Sequence, residues 1–105
     1  MGLLRLIRTT LKPIGGKIYS GPLEGITKPR LEVFVGPLGE AKYIGWWECV
    51  EHEDGSRTHH LFANGELHPT DEGYSGEVVS IRGGKPKGWR AVARKGSATI
   101  NFEAI

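Results

Sequence analysis

Residues 98–104 read Ala-Thr-Ile-Asn-Phe-Glu-Ala, and small or apolar side chains alternate strictly with polar ones along this stretch. Successive side chains of an extended strand point to opposite faces, so Ile100 and Phe102 share one face while Asn101 and Glu103 share the other. The stretch therefore predicts a β-strand that lies on a hydrophobic core with one face and meets water with the other.

Five earlier stretches have the same β character and recur at intervals of roughly 8–12 residues. They are rich in β-branched and aromatic residues and are bounded by turn signals such as Asp54-Gly55, Asn64-Gly65 and 95–97. The sequence therefore predicts an all-β fold, a small antiparallel barrel or sandwich of about six short strands. The five stretches are 31–35, 42–50, 57–63, 76–82 and 89–94, and the expected core residues are Trp46, Trp47, Trp89 and Phe102.

The N-terminal region has a different character, because residues 13–39 contain ten Gly or Pro residues. Such a density of breakers argues against long regular structure. Before it, residues 3, 4, 7 and 11 are apolar and fit a short amphipathic helix that ends before Pro13, while a strand fits nearly as well. We expect residues 1–30 to form an extended basic N-terminal arm and residues 31–105 to form the small β domain.

Length and composition limit the class of protein. The chain has 105 residues and a mass of 11.5 kDa, which is the size of one domain. No apolar run approaches the ~18 residues of a membrane span, and one cysteine excludes an internal disulfide. Without a recognisable secretory signal, we expect an intracellular or particle-associated (virion) location and no membrane partner.

Charge is segregated along the chain although its net value is only +2. Residues 1–30 carry six bases and one acid, residues 48–77 carry eight acids and one base, and residues 78–105 carry six bases and one acid. Complementary surfaces of this kind favour assembly by giving register and steering. We expect an interaction arm (Arg5, Arg8, Lys12, Lys17), an acidic counterface (Glu51, Glu53, Asp54, Asp71, Glu72) and a basic patch (Arg82, Lys85, Lys87, Trp89, Arg90, Arg94).

These features predict a non-enzymatic structural or interaction module whose partners are copies of itself or a larger assembly. A phage particle component would suit a small barrel with an ordered arm. One alternative is a small-barrel nucleic-acid-binding protein that uses the basic hairpin 82–95. A second alternative is a small inhibitor of a host enzyme.

The chemistry-bearing residues cluster between positions 49 and 71, and their spacing does not define a site. Cys49, His60 and His68 are weak metal candidates, and we expect no metal, no cofactor and no catalytic residue. A two-residue turn at Asp54-Gly55 would place Cys49 opposite His60. A three-residue turn through Ser56 would instead place Glu51 opposite His59, and the sequence leaves this register open.

The tandem Trp46-Trp47 lies on a predicted strand, so the two rings face opposite sides of the sheet. One ring is expected in the core, and the other either faces solvent as an interface site or lies under the arm. Gly45, next to them, indicates a bulge or a close approach of another backbone.

Overall fold

A computed structural model of the chain describes residues 7–26, 30–81 and 87–105. The described residues form nine antiparallel strands in one sheet. Within these ranges, no helix has the length and apolar character that crossing a bilayer requires. The strands are β1 (Ile7–Thr10), β2 (Lys12–Gly15), β3 (Ile18–Glu24), β4 (Leu31–Leu38), β5 (Ala41–Glu51), β6 (Arg57–Thr70), β7 (Gly73–Ser80), β8 (Gly88–Arg94) and β9 (Thr99–Ala104).

The sheet closes into a barrel through β1. Sheet order runs β1-β9-β8-β7-β6-β5-β4-β3-β2, and β1 also pairs with β3, so eight strands form a closed ring. The ninth strand, β2, continues the chain beyond β1 and pairs with β3. The all-β antiparallel barrel is thus confirmed. Closure satisfies the backbone hydrogen bonds along both sides of each ring strand.

Two expectations about the N-terminal region and the strand count need correction. About six strands were predicted, whereas the described residues form nine, and residues 7–24 contribute three of them rather than a basic arm. Gly21 sits inside β3 because a Cβ there would collide with the carbonyl oxygen of Thr10. Glycine here permits close strand packing instead of breaking the strand. The strand interpretation holds for residues 7–10, whereas residues 1–6 lie outside the described ranges.

The barrel interior is filled mainly by aromatic and branched side chains. The indole of Trp46 packs on Trp89 with ring centroids 4.6 Å apart and on Phe102 at 5.0 Å. These three expected core residues are confirmed, whereas Trp47 lies on the outer surface. The other buried apolar residues are Ile7, Leu23, Leu31, Val33, Val35, Ile44, Ala63, Leu67, Val78, Ala91 and Ile100.

The Asn64-Gly65 pair is not a turn, contrary to the sequence-based prediction. It lies in the middle of the 14-residue strand β6, and the chain reverses instead at residues 71–72. A Cβ on Gly65 would collide with the backbone carbonyl oxygen of Glu77 on β7. Glycine is therefore required here because β6 and β7 lie close together. Local turn propensity does not reflect such a contact.

The β5–β6 hairpin adopts neither of the two registers considered. Cys49 pairs with His59 and Glu51 pairs with Arg57. The amide of His52 donates to the carbonyl of Ser56 (2.9 Å), which leaves residues 53–55 as a three-residue loop with Gly55 at φ 86°. Such loops place glycine in the left-handed region. Further along, a bulge shifts the register between Trp46 and Trp47.

Candidate functional site

The expected interaction arm is built into the barrel wall. Arg8 projects outward from β1 and pairs with Glu24 of β3 (Nε to Oε2, 3.3 Å). Lys12 is exposed on β2, and Lys17 is exposed at the β2–β3 turn with φ 64°. Arg5 lies outside the described residues. The basic side chains that are described thus lie on a fixed sheet surface.

The expected acidic counterface is divided between the two ends of the barrel. Glu51, Glu53 and Asp54 lie at the β5–β6 loop, whereas Asp71 and Glu72 lie at the β6–β7 turn. The strand β6 separates the two groups by roughly 45 Å along its path, at ~3.3 Å per residue. Glu51 also pairs with Arg57 (3.0 Å). These five acids therefore do not form one surface.

Asp54 is held by its own loop. The hydroxyl and the backbone amide of Ser56 both donate to Asp54 Oδ1, at 2.6 Å and 2.9 Å. These hydrogen bonds, the hydroxyl's first, lower the pKa of Asp54 because they favour the ionised carboxylate. This arrangement stabilises the loop and leaves the side chain exposed.

The expected basic patch is only partly available as a surface. Trp89 is 8% exposed and packs on Trp46, so its assignment to a contact patch is corrected. Arg90 lies directly between Glu77 and Glu103 on the neighbouring strands. Arg82 and Lys85 lie outside the described residues, while Lys87 and Arg94 are exposed. Trp89 is therefore not available on the barrel surface for base stacking.

The weak metal candidates are not brought together. Cys49 faces outward beside His59, whereas His60 pairs with Glu48 and projects to the other face of the sheet. His68 lies eight residues further along β6. Within 7–26, 30–81 and 87–105, no group of three or more His, Cys, Asp or Glu side chains is placed to hold a metal ion.

The outer wall over β3, β4 and β5 carries a cluster of large apolar side chains. We call it the outer aromatic face, and it consists of Ile18, Phe34, Leu38, Tyr43 and Trp47. Ile18 is 39% exposed and Leu38 is 43% exposed, while the three aromatic residues are half-buried. A shallow depression of about 400 Å³ lies on this face, and its lining includes Ile18, Phe34, Tyr43 and Trp47 together with His59 but not Leu38. Large exposed apolar surfaces of this kind mark interaction sites.

Gly45 forms the floor of the outer aromatic face. A Cβ at Gly45 would lie 2.6 Å from Trp47 Nε1 and 2.7 Å from Tyr43 Oη, so the two rings cover this position. The groups that approach Gly45 are these two side chains rather than another backbone, while the register shift between β5 and β6 lies at the neighbouring Trp46 and Trp47. Trp47 is partly covered by its own neighbours and still reaches the surface.

The outer aromatic face has opposite charges at its two sides. Strand register places Lys12 opposite Ser20, which lies opposite Phe34, so Lys12 borders the face on the β2 side. On the other side, Glu66 lies opposite Tyr43 and is exposed on β6. Within the described residues β2 pairs only with β3, so the basic side of the face is also an edge strand.

The sequence-based prediction did not identify the outer aromatic face, although the residue pattern of β4 and β5 indicated it. β4 and β5 carry large apolar side chains on both faces, as in Val33 and Val35 against Phe34, and Ile44 and Trp46 against Tyr43. A strand in the wall of a small barrel normally presents polar residues to solvent. The break in alternation at these positions was the available sign of a second apolar surface.

Comparison of the chain with protein-family models, with curated proteins and with solved structures gives no significant match. The function is therefore inferred from the surfaces of the chain itself.

Proposed function

We propose that this protein is a non-enzymatic interaction module that assembles with a second copy of itself through the outer aromatic face. The observation that carries the proposal is the position of this apolar surface between a basic side, Lys12, and an acidic side, Glu66. Burying such side chains contributes about 25 cal/mol per Å² of apolar surface. Self-assembly was also expected from the charge segregation, but the proposed contact surface is now the outer aromatic face rather than the arm and the charge patches.

A two-fold arrangement fits this layout. In an isologous dimer the same patch meets itself, so a residue on one side of the patch meets a residue on the other side in the partner. Two copies related by an axis through the centre of the face would bring Lys12 of one copy near Glu66 of the other. Complementary charges at the rim of an apolar patch give register and speed association.

The edge strand supports the same arrangement. Ile14 on β2 is 58% exposed, so this edge strand presents an apolar side chain to solvent. An edge strand with exposed apolar side chains is an available surface for another chain. An intracellular or particle-associated setting, such as a virion component, remains the accompanying proposal.

The test uses point substitutions, because deletion of residues 1–20 would remove β1 and β2 and open the barrel. We expect the full chain to dimerise in sedimentation-equilibrium experiments and Ile18→Glu to be monomeric. Val92→Glu is the matched control: Val92 is 37% exposed on β8, across the barrel from β4, and its substitution should leave the dimer intact.

Charge reversal gives an independent test of the orientation. Lys12→Glu and Glu66→Lys should each weaken the dimer, and the double variant should recover most of the lost affinity. A wild-type chain that stays monomeric at the highest concentration rejects self-assembly. Equal weakening by Ile18→Glu and Val92→Glu would reject this face as the interface.

A further inference from the structure

A second surface lies at the end of the barrel where the β6–β7 and β8–β9 turns meet. A cavity of about 530 Å³ opens there, which is within the usual range of small-molecule sites. The amide of Lys95 donates to the carbonyl of Glu72 (2.8 Å), and the amide of Leu11 donates to the carbonyl of Ala98 (2.8 Å). The first bond joins the two turns to each other, and the second joins the β8–β9 connection to the residue between β1 and β2, so the cavity has a defined rim.

The wall of this cavity is apolar at its base. Val35, Leu67 and Ile100 line it and are at most 3% exposed, so they belong both to the core and to the cavity floor. Tyr19 and Tyr74 line it from opposite sides of the ring of strands. The aromatic or alkyl part of a small ligand would pack against these side chains.

The charged residues that line the cavity are all cationic. They are Lys42, Arg94 and Lys95, and no carboxylate lines the cavity within the described residues. Lys42 lies over the ring of Tyr74, with Nζ 5.2 Å from the centroid. The ion pairs formed within 7–26, 30–81 and 87–105 involve other residues, so these three cations lack an acidic partner there.

We propose that the barrel mouth binds a small amphipathic anion, with its apolar body on Val35, Leu67 and Ile100 and its anionic head at Lys42. Register supports the position of the head. Lys42 pairs with Leu67 of the cavity floor, so both side chains lie on the inner face of the sheet, whereas Arg94 shares the outer face of β8 with Arg90 and Val92. A carboxylate, sulfonate or phosphate head would supply the counter-charge that the described lining residues do not provide. This site is separate from the outer aromatic face and does not depend on dimerisation.

The experiment is an NMR titration of the full chain with sodium decanoate, with decanol as the neutral analogue of the same length. We expect decanoate to shift the signals of Leu67, Ile100 and Tyr74 and to bind at least about tenfold more tightly than decanol. Shifts concentrated at Phe34 and Trp47 would overturn the proposal, because they would place the ligand on the outer aromatic face. Equal affinity for the two compounds would overturn it as well.

Substitutions test the role of Lys42. Lys42→Met keeps the length of the side chain and removes the charge, so decanoate affinity should fall about tenfold while decanol affinity stays the same. Lys12→Met, on the outer wall, is the matched control and should bind decanoate like the wild type. Lys42→Arg should retain most of the affinity, which shows that the charge matters even if Lys42→Met folds poorly. Full decanoate affinity in a folded Lys42→Met would reject the role of Lys42, and with it the proposed site.

Discussion

The ring of Trp46 meets Phe102 edge-on across the barrel interior, with centroids 5.0 Å apart and planes at 86°. Trp46 belongs to β5 and Phe102 to β9, and three strands separate β5 from β9 in each direction around the closed ring. One side chain thus spans the interior and packs directly on the opposite wall. Such aromatic pairs add about 0.5–1.5 kcal/mol beyond the burial of their surface.

The two adjacent tryptophans should differ strongly in their effect on stability. Trp46→Ala should cost about 3–5 kcal/mol, because it leaves a cavity against both Trp89 and Phe102. Trp47→Ala should cost much less, because Trp47 is half-buried on the outer wall. Urea denaturation at low protein concentration measures both without a contribution from self-association. Similar losses for the two variants would contradict the assignment of Trp46 to the core.

Gly65 should tolerate no side chain. Gly65→Ala places a Cβ against the carbonyl oxygen of Glu77, and the paired backbone of β7 cannot move away freely. We expect a loss of about 3 kcal/mol, at the upper end of overpacking effects. Gly36→Ala is the control on β4, where the nearest atom to a new Cβ is Ile18 Cγ1 at 3.8 Å. Thermal unfolding of both proteins checks the difference, and a neutral Gly65→Ala would show that β6 and β7 are packed less closely.

Removing one buried hydroxyl should stabilise the protein. Thr9 is fully buried, and its Oγ1 has no hydrogen-bond partner among the described residues. Thr9→Val keeps the shape of the side chain and removes the desolvated group, so we expect a gain of about 1 kcal/mol. Thr10→Val, at an exposed site on the same strand, is the control and should not give this gain. A loss of stability in Thr9→Val would indicate that the hydroxyl is hydrogen-bonded in solution.

The pKa of Asp54 should depend on Ser56. Ser56→Ala removes the hydroxyl that donates to Asp54 Oδ1, so the pKa of Asp54 should rise toward its ordinary value of 3.8. Because the folded-state pKa lies below the unfolded one, the stabilisation is present above the unfolded pKa. It declines as the pH falls through the folded pKa. An NMR titration of the Asp54 carboxyl carbon checks this, and an unchanged pKa would show that the backbone amide alone holds the carboxylate.

Local patterns predicted the strands well where the polarity of each side chain matched the face of the sheet on which it lies. The alternation at 98–104 identified β9, and the aromatic stretch 42–50 lies within β5. The same patterns gave wrong predictions where a glycine is needed for two strands to pack closely. Gly21 and Gly65 carry no side chain because a neighbouring carbonyl occupies that space, and neither is a turn. Local propensity cannot register a contact with a strand that is distant in sequence.

The candidate surfaces were less predictable than the strands. Charge segregation along the chain predicted one acidic counterface, but the 14-residue strand β6 separates Asp54 from Asp71 at opposite ends of the barrel. Lys42, Arg94 and Tyr74 are brought to one mouth by pairing across four strands. Residue order alone does not specify which turns meet at which end of a closed sheet.

By itself, the amino-acid sequence determined the β class of this protein, its antiparallel character and the identity of most of its aromatic core, because side-chain alternation is set by backbone geometry within each strand. The tertiary structure was needed to show that β1 and β3 belong to the barrel wall, that Trp47 faces outward and that cationic side chains line the mouth. These outcomes depend on ring closure and strand register, which arise from contacts between β1, β3 and β9 that are distant along the chain.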